Sequence, residues 1–451
     1  MSTRPASPRL PWDEPAPVFQ KVLETDAALL AGYAEAAEHH MGLLPPRPQR
    51  DGDQLLAAEH ILALARTARR AFMALHADEV YGRLTDGRTR YLRLDALLAA
   101  AAEHFPGLVP DQAQMLAEAA RIQAHKDGRE VDQAIFCGAL LRSATAGTHL
   151  IEAMLLPTAR AIDLLEEFRN VGRIALSTVT VERDSGAAYV TFRNAHCLNT
   201  EDNQLIADLE TAVDLVLLDD QVRVGILRGG EVDHHRYAGR RVFSAGINLK
   251  DLRNGDISFV DFLLGRELGY IHKMARGLLV SPAESAWADR CTSKPWVGAV
   301  ESFAIGGGMQ LLLVLDHVIA EAEAFFSLPA AEEGIVPGLA NLRLTRAVGT
   351  RLARQIILRG RTIHAKDPEA SQLCDEVVPV TDMEAAIGRA VRDLSAPAVA
   401  ANRSILFLAE EPLDLYRTYL AEFATAQAHR AYSHDVLDKV ERRWQRSQDR
   451  K

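Results

Sequence analysis

Hydrophobic positions recur every three or four residues through most of the first 170 positions, and then the period changes. Leu55–Leu75 and Leu140–Leu155 carry apolar residues at helical spacing, and alanine and leucine dominate from Asp26 to Asn170. Proline and glycine break this pattern at Pro45–Pro46–Arg47–Pro48 and from Phe105–Pro106–Gly107 to Pro110. Past Gly172 the period drops to two. Ile174–Arg183 alternates and reads as one strand, Asp184–Ser185–Gly186 as a turn, and Ala187–Arg193 as a second strand. Gln204–Leu217 reads as a helix, and Val222–Leu227 and Trp296–Val300 as buried strands. Strands alternating with helices up to Val380 predict an α/β layer architecture. From Met383 to Lys451 the spacing is helical again. The expected organisation is a disordered tail (1–25), a helical N-terminal domain (26–170), a catalytic core (171–380) and a helical C-terminal region (381–451).

Two glycine-bearing segments carry the candidate chemistry. Val242–Phe243–Ser244–Ala245–Gly246–Ile247–Asn248–Leu249 follows the Val222–Leu227 strand, and Ala304–Ile305–Gly306–Gly307–Gly308–Met309–Gln310 follows Trp296–Val300. Each lets the backbone pass close to a ligand before a helix, predicted at Gly308–Leu315 for the second. Two backbone N–H groups brought together at such turns can hold a thioester oxygen as it gains negative charge, which is an oxyanion hole.

The pair of loops resembles the signature of the crotonase (enoyl-CoA hydratase/isomerase) superfamily, over roughly Val171 to Glu410. The resemblance implies a fold of repeated ββα turns followed by helices. It also implies oxyanion-hole roles for the N–H groups of Ile247 and Gly307. The hydratases of that superfamily use two glutamates to move water across a double bond. Here the first position is Gln310, which neither takes nor gives a proton near neutral pH. The second is Ala330, with Glu332 and Glu333 displaced along the chain. Hydration by the two-glutamate route is therefore not expected.

An insertion, Glu231 to Arg241, precedes the first loop. With the lost glutamates and the long helical N-terminal region, it narrows the resemblance to the superfamily's cofactor-independent dioxygenases of glycopeptide-antibiotic biosynthesis. These turn (3,5-dihydroxyphenyl)acetyl-CoA and dioxygen into 3,5-dihydroxyphenylglyoxylate and coenzyme A. That resemblance implies Glu201, His234 and Arg266 as substrate contacts and Gln310 as a catalytic residue. It also implies an aryl-acyl-CoA substrate, no metal or flavin, and assembly as a trimer or dimer of trimers. Read singly, Glu201 would be an acid at a helix N-terminus and Arg266 a surface cation. A crotonase-type hydrolase or isomerase, and a non-catalytic acyl-CoA-binding protein, remain as alternatives.

Composition narrows the classes further. The chain has 451 residues, enough for more than one domain, with 48% hydrophobic and 25% charged residues. A net charge of −10 argues against nucleic acid or an anionic membrane as partner. No apolar run reaches the ~18 residues of a membrane span, and Met1–Pro17 lacks a signal-peptide core. The four cysteines and fifteen histidines show no metal-ligand spacing, which fits a cytoplasmic protein without a metal site.

Overall fold

The computed structural model describes residues 12–284 and 290–448. The tail expected through residue 25 is ordered from Trp12 onward. The Trp12 ring is buried against Tyr33, their centroids 4.8 Å apart, and Tyr33 Oη donates to Glu14 O at 2.7 Å. Residues 1–11 lie outside the described part.

The N-terminal helices are α1 (Leu23–Gly42), α2 (Gly52–Leu84), α3 (Leu94–His104), α4 (Gln112–Ala119), α5 (Arg129–Arg142), α6 (Ala144–Met154) and α7 (Ala159–Val171). Side-chain caps start several of them. Asp51 and Asp111 each form a reciprocal capping box with the glutamine three residues on, and Thr158 accepts from Ala161 N.

The sheet begins with β1 (Arg173–Ala175), β2 (Val179–Asp184) and β3 (Ala187–Phe192). The single strand expected over Ile174–Arg183 is in fact a tight antiparallel hairpin pairing Ile174 with Val181. Alternation continues across both arms, so the pattern hides the bend. Asp208 fixes it, accepting from both the N–H and the hydroxyl of Thr178 at 2.7 and 2.8 Å. Asp208 lies on α8 (Asn203–Leu218), and β4 (Val224–Arg228) follows that helix. From β3 the sheet continues in parallel through β4, β5 (Trp296–Val300), β7 (His317–Glu321) and β10 (Glu376–Val378). Every residue of β4 and β5 is buried, as the uninterrupted apolar runs require for strands covered on both faces. A smaller sheet pairs β6 (Phe303–Ile305) in parallel with β8 (Phe325–Ser327), which is edged by β9 (Ile363–His364).

Helices α9 (Leu249–Asn254), α10 (Gly265–Leu268) and α11 (Tyr270–Arg276) follow the first glycine loop, with a π-helical turn at Phe259–Leu264. Helix α12 (Gly307–Leu312) is shorter than the expected Gly308–Leu315. The N–H of Asp316 bonds Trp296 O at 2.9 Å while its carboxylate accepts from Trp296 N at 2.7 Å, which pulls the chain back to the sheet. Helices α13 (Ala330–Glu333), α14 (Ala340–Ala347), α15 (Gly349–Arg359), α16 (Met383–Leu394), α17 (Pro397–Glu410), α18 (Leu413–Ala431) and α19 (His434–Gln448) complete the chain.

One apolar core joins the N-terminal helices, the sheet and α18. Helix α5 packs along α18 where Gly138 permits close approach. A Cβ on Gly138 would lie 3.0 Å from both Ala421 O and Thr425 Oγ1. Arg417 of α18 donates to the last carbonyls of α5, Leu141 O and Arg142 O, at 2.7 and 2.6 Å. Gly138→Val should therefore overpack this seam and lower stability by about 1–3 kcal/mol, read as a shift in the denaturant midpoint with the slope unchanged.

Candidate active site

The two glycine loops meet as expected. Ser244 N donates to Phe303 O and Ile305 N to Ser244 O at 2.9 Å, which zips the first loop to β6. Gly246 has a φ of 80°, open to glycine at little cost, and a side chain there would strike Ile305 O at 2.9 Å and Gly307 N at 3.3 Å. Ile247 forms a parallel bridge with Glu201 that uses Gly246 O and Asn248 N, so the Ile247 N–H points the other way. Gly307 opens α12, where first-turn N–H groups have no intrahelical acceptor. Both residues line one cleft.

Glu201, Arg266 and Gln310 line the same cleft. Glu201 is not the N-terminal cap of α8, because Asp202 fills that role by accepting from Leu205 N. Glu201 is instead turned inward, 1% exposed. Its carboxylate lies against Gly307, where an added Cβ would sit 2.2 Å from Oε1. Arg266 is equally far from a surface cation. Its Nε donates to Glu201 Oε2 at 2.6 Å, and its Nη2 to Glu201 Oε1 at 3.4 Å and Gly307 O at 2.9 Å. Its Nη1 donates to Glu267 Oε1 at 2.8 Å and Gln310 Oε1 at 3.0 Å. Burial opposes the guanidinium charge, but Glu201, Tyr270 and Glu267 raise its pKa above the ordinary arginine value. Tyr270, packed beside it, is held well above the usual phenol range by burial.

His234 is not brought to this cleft. The insertion carrying it is anchored by Val232 and Tyr237, which pack on the β6 side, Tyr237 edge-on to Phe303 at 5.3 Å. His234 remains half-buried beyond them, its Nδ1 accepting from Arg236 N at 3.3 Å and its ring 4.4 Å from that of His235.

Three cleft residues escaped the sequence argument. Glu267 is buried beside Arg266, and only its place next to an already suspected residue could have marked it. Glu333 lines the cleft whereas Glu332 is exposed, a distinction set by the short helix α13 and invisible in the run of acids. Gln427 reaches the cleft from α18, more than a hundred residues from either loop, and carries no motif.

The chain matches the family model for enoyl-CoA hydratase/isomerase over residues 272–411. It is 32% identical to a probable enoyl-CoA hydratase of Rhizobium meliloti (strain 1021), over 56% of this chain and 92% of that one. A solved enoyl-CoA hydratase of Bacillus halodurans aligns over 59% of this chain and 99% of its own, at 22% identity and a TM-score of 0.49. The chain belongs to the enoyl-CoA hydratase/isomerase (crotonase) superfamily. Within it, the chain is 55% identical to the (3,5-dihydroxyphenyl)acetyl-CoA 1,2-dioxygenase of Amycolatopsis orientalis, over 92% of this chain and 95% of that one. This match spans the N-terminal helices as well as the crotonase core.

Removing the Arg266 charge would leave Glu201 and Glu267 buried without a counter-charge. Arg266→Met should cost about 3–5 kcal/mol of stability, and adding Glu201→Gln should restore part of that loss. Chemical denaturation of the single and double variants checks both steps.

Proposed function

We propose that the protein is a dioxygenase that converts (3,5-dihydroxyphenyl)acetyl-CoA and dioxygen to 3,5-dihydroxyphenylglyoxylate and coenzyme A, with no metal or flavin. The observation that carries the reading is the oxyanion pair, Ile247 and Gly307, set against the buried Glu201–Arg266 pair and the half-buried Gln310, where a hydratase needs proton-transferring glutamates. The similarity to the Amycolatopsis enzyme along nearly the whole chain supports the same conclusion. Among the described residues, no three His, Cys, Asp or Glu side chains converge as a metal site.

Dioxygen reacts slowly with closed-shell molecules unless an electron is readily given up, and here the substrate supplies it. The carbon between an aryl ring and a thioester carbonyl is comparatively acidic. Loss of its proton gives an enolate whose oxygen lies against the N–H groups of Ile247 and Gly307. Such preorganised donors are worth about 3–4 kcal/mol each in transition-state stabilisation. Electron transfer to dioxygen and recombination form a C–O bond at the α-carbon. The resulting peroxide attacks the thioester carbonyl and expels coenzyme A as thiolate. Cleavage of the O–O bond with loss of the second α-proton leaves the α-keto acid, so both oxygen atoms enter the product.

Glu201 serves this scheme as a binding group rather than as the base, since Arg266 occupies both its oxygens. Glu267 keeps one oxygen outside that pairing, and Glu333, at the end of α13, lines the same cleft. Gln310 and Ala330 leave no acid at the two familiar positions. An enolate that must meet dioxygen is thereby spared rapid reprotonation.

The protein acts in the cytoplasm as a homo-oligomer in this reading. All four cysteines are free thiols, and no single described helix is long and apolar enough to cross a membrane. Helix α17 exposes Ile405, Leu406 and Leu408, the second by 58%, a surface suited to burial against another copy.

Two measurements test these statements. Oxygen uptake should equal coenzyme A release, one to one, and release should fall to background without oxygen. Equal release under anaerobic conditions would identify a thioesterase instead. Placing aspartate at Ile405 and Leu406 together should shift sedimentation toward the monomer, whereas an unchanged profile would move the subunit contact elsewhere.

A further inference from the structure

We propose that Gln427 determines specificity for the substrate's aryl ring, its side-chain amide donating to a ring hydroxyl. The inference rests on the arylacetyl-CoA reading above and assigns a recognition role to the C-terminal helix α18.

Tyr416, Tyr419, Phe423, Gln427 and Arg430 recur three or four residues apart and share one face of α18. That face holds the wall of the cleft. Tyr416 Oη donates to Glu267 O at 2.8 Å, Tyr419 Oη to Gly338 O at 2.6 Å and Arg430 Nε to Gly334 O at 2.6 Å. Gln427 Oε1 accepts from Val336 N at 2.8 Å. A backbone N–H can only donate, so the carbonyl end of the amide must face Val336 and the NH2 must point away. Gln427 is 2% exposed and lines the cleft, so that NH2 is placed to meet a ligand there.

Gln310 presents a matching amide. Its Oε1 accepts from Arg266, which turns its NH2 from that pairing. The same short turn touches both glutamines. Val336 bonds Gln427, and a Cβ on Gly338 would fall 2.6 Å from Gln310 Oε1. Two residues of chain span at most about 7 Å, so both glutamines are tied to one short stretch of the cleft wall. Phe262, Leu263, Leu328 and Phe423 supply apolar walls. The faces of a benzene ring suit those walls, and ring hydroxyls offer oxygens to amide donors in the same cleft.

The test is anaerobic binding, which needs no turnover. Wild-type protein and Gln427→Met are titrated with (3,5-dihydroxyphenyl)acetyl-CoA and with phenylacetyl-CoA. Wild type should prefer the hydroxylated thioester, and the variant should lose about tenfold of that preference, the worth of one buried hydrogen bond, while phenylacetyl-CoA affinity stays within about twofold. A loss equal for both thioesters would mean that Gln427 only holds Val336 or meets the coenzyme A arm, and would overturn the inference alone. An unchanged preference would do the same. Failure of wild type to bind either thioester would overturn the inference together with the proposed function, whereas binding without oxygen uptake would remove the dioxygenase reading and leave the recognition role standing.

Discussion

A guanidinium carries five N–H donors and a charge that cannot be shed, so burying one obliges the surrounding chain to supply acceptors and a counter-charge. Arg266 imposes that demand at the centre of this protein. Glu201 from the loop before α8, Glu267 from α10, Gln310 from α12 and the carbonyl of Gly307 all turn toward it. Those groups come from separate parts of the chain, and each also lines the cleft. The pairing therefore fixes the position of the second glycine loop relative to the acidic side chains.

The cluster is held from outside by helices the crotonase loops do not predict. Tyr416 and Tyr419 of α18 bond the backbone at Glu267 and Gly338, on either side of Arg266 and Gln310. Helix α18 is itself held by α5, through the close approach at Gly138 and the bonds from Arg417. Glu130 of α5 reaches further, accepting from Phe259 N at 2.8 Å and from Tyr432 Oη at 2.5 Å. The N-terminal helices thus act on the site through α18 and the turn before α10. A second tie is electrostatic: Arg93, which precedes α3, and the wholly buried Lys273 of α11 share Glu210, and Lys273 also meets Asp214.

The site's chemistry follows from what it retains and what it gives up. The two glycine loops of a crotonase remain, with Ile247 and Gly307 lining one cleft, which in the proposed reaction hold the enolate. The glutamates that would return a proton are replaced by an amide and a methyl group. In their place the cleft gains neutral donors, an apolar lining and a carboxylate tied to arginine. Such a lining suits the proposed reaction, in which a carbanion must meet dioxygen before it is reprotonated.

Much of this was legible in the chain. The change of hydrophobic period near Gly172 located the start of the sheet, the apolar runs marked β4 and β5, and the two glycine loops located Ile247 and Gly307, because local spacing and backbone freedom are properties of neighbouring residues. The absence of acid at Gln310 and Ala330 was equally plain. Tertiary structure decided the rest. The hairpin within Ile174–Arg183 depends on Asp208, the early end of α12 on Trp296, and the placement of His234 on Tyr237 packing against Phe303. Glu333 and Gln427 face the cleft, while Glu332 does not, because helices distant in sequence turn them there. A side chain's charge and reach are written in its identity. Its partners are set by which surfaces pack together, and no local pattern records that.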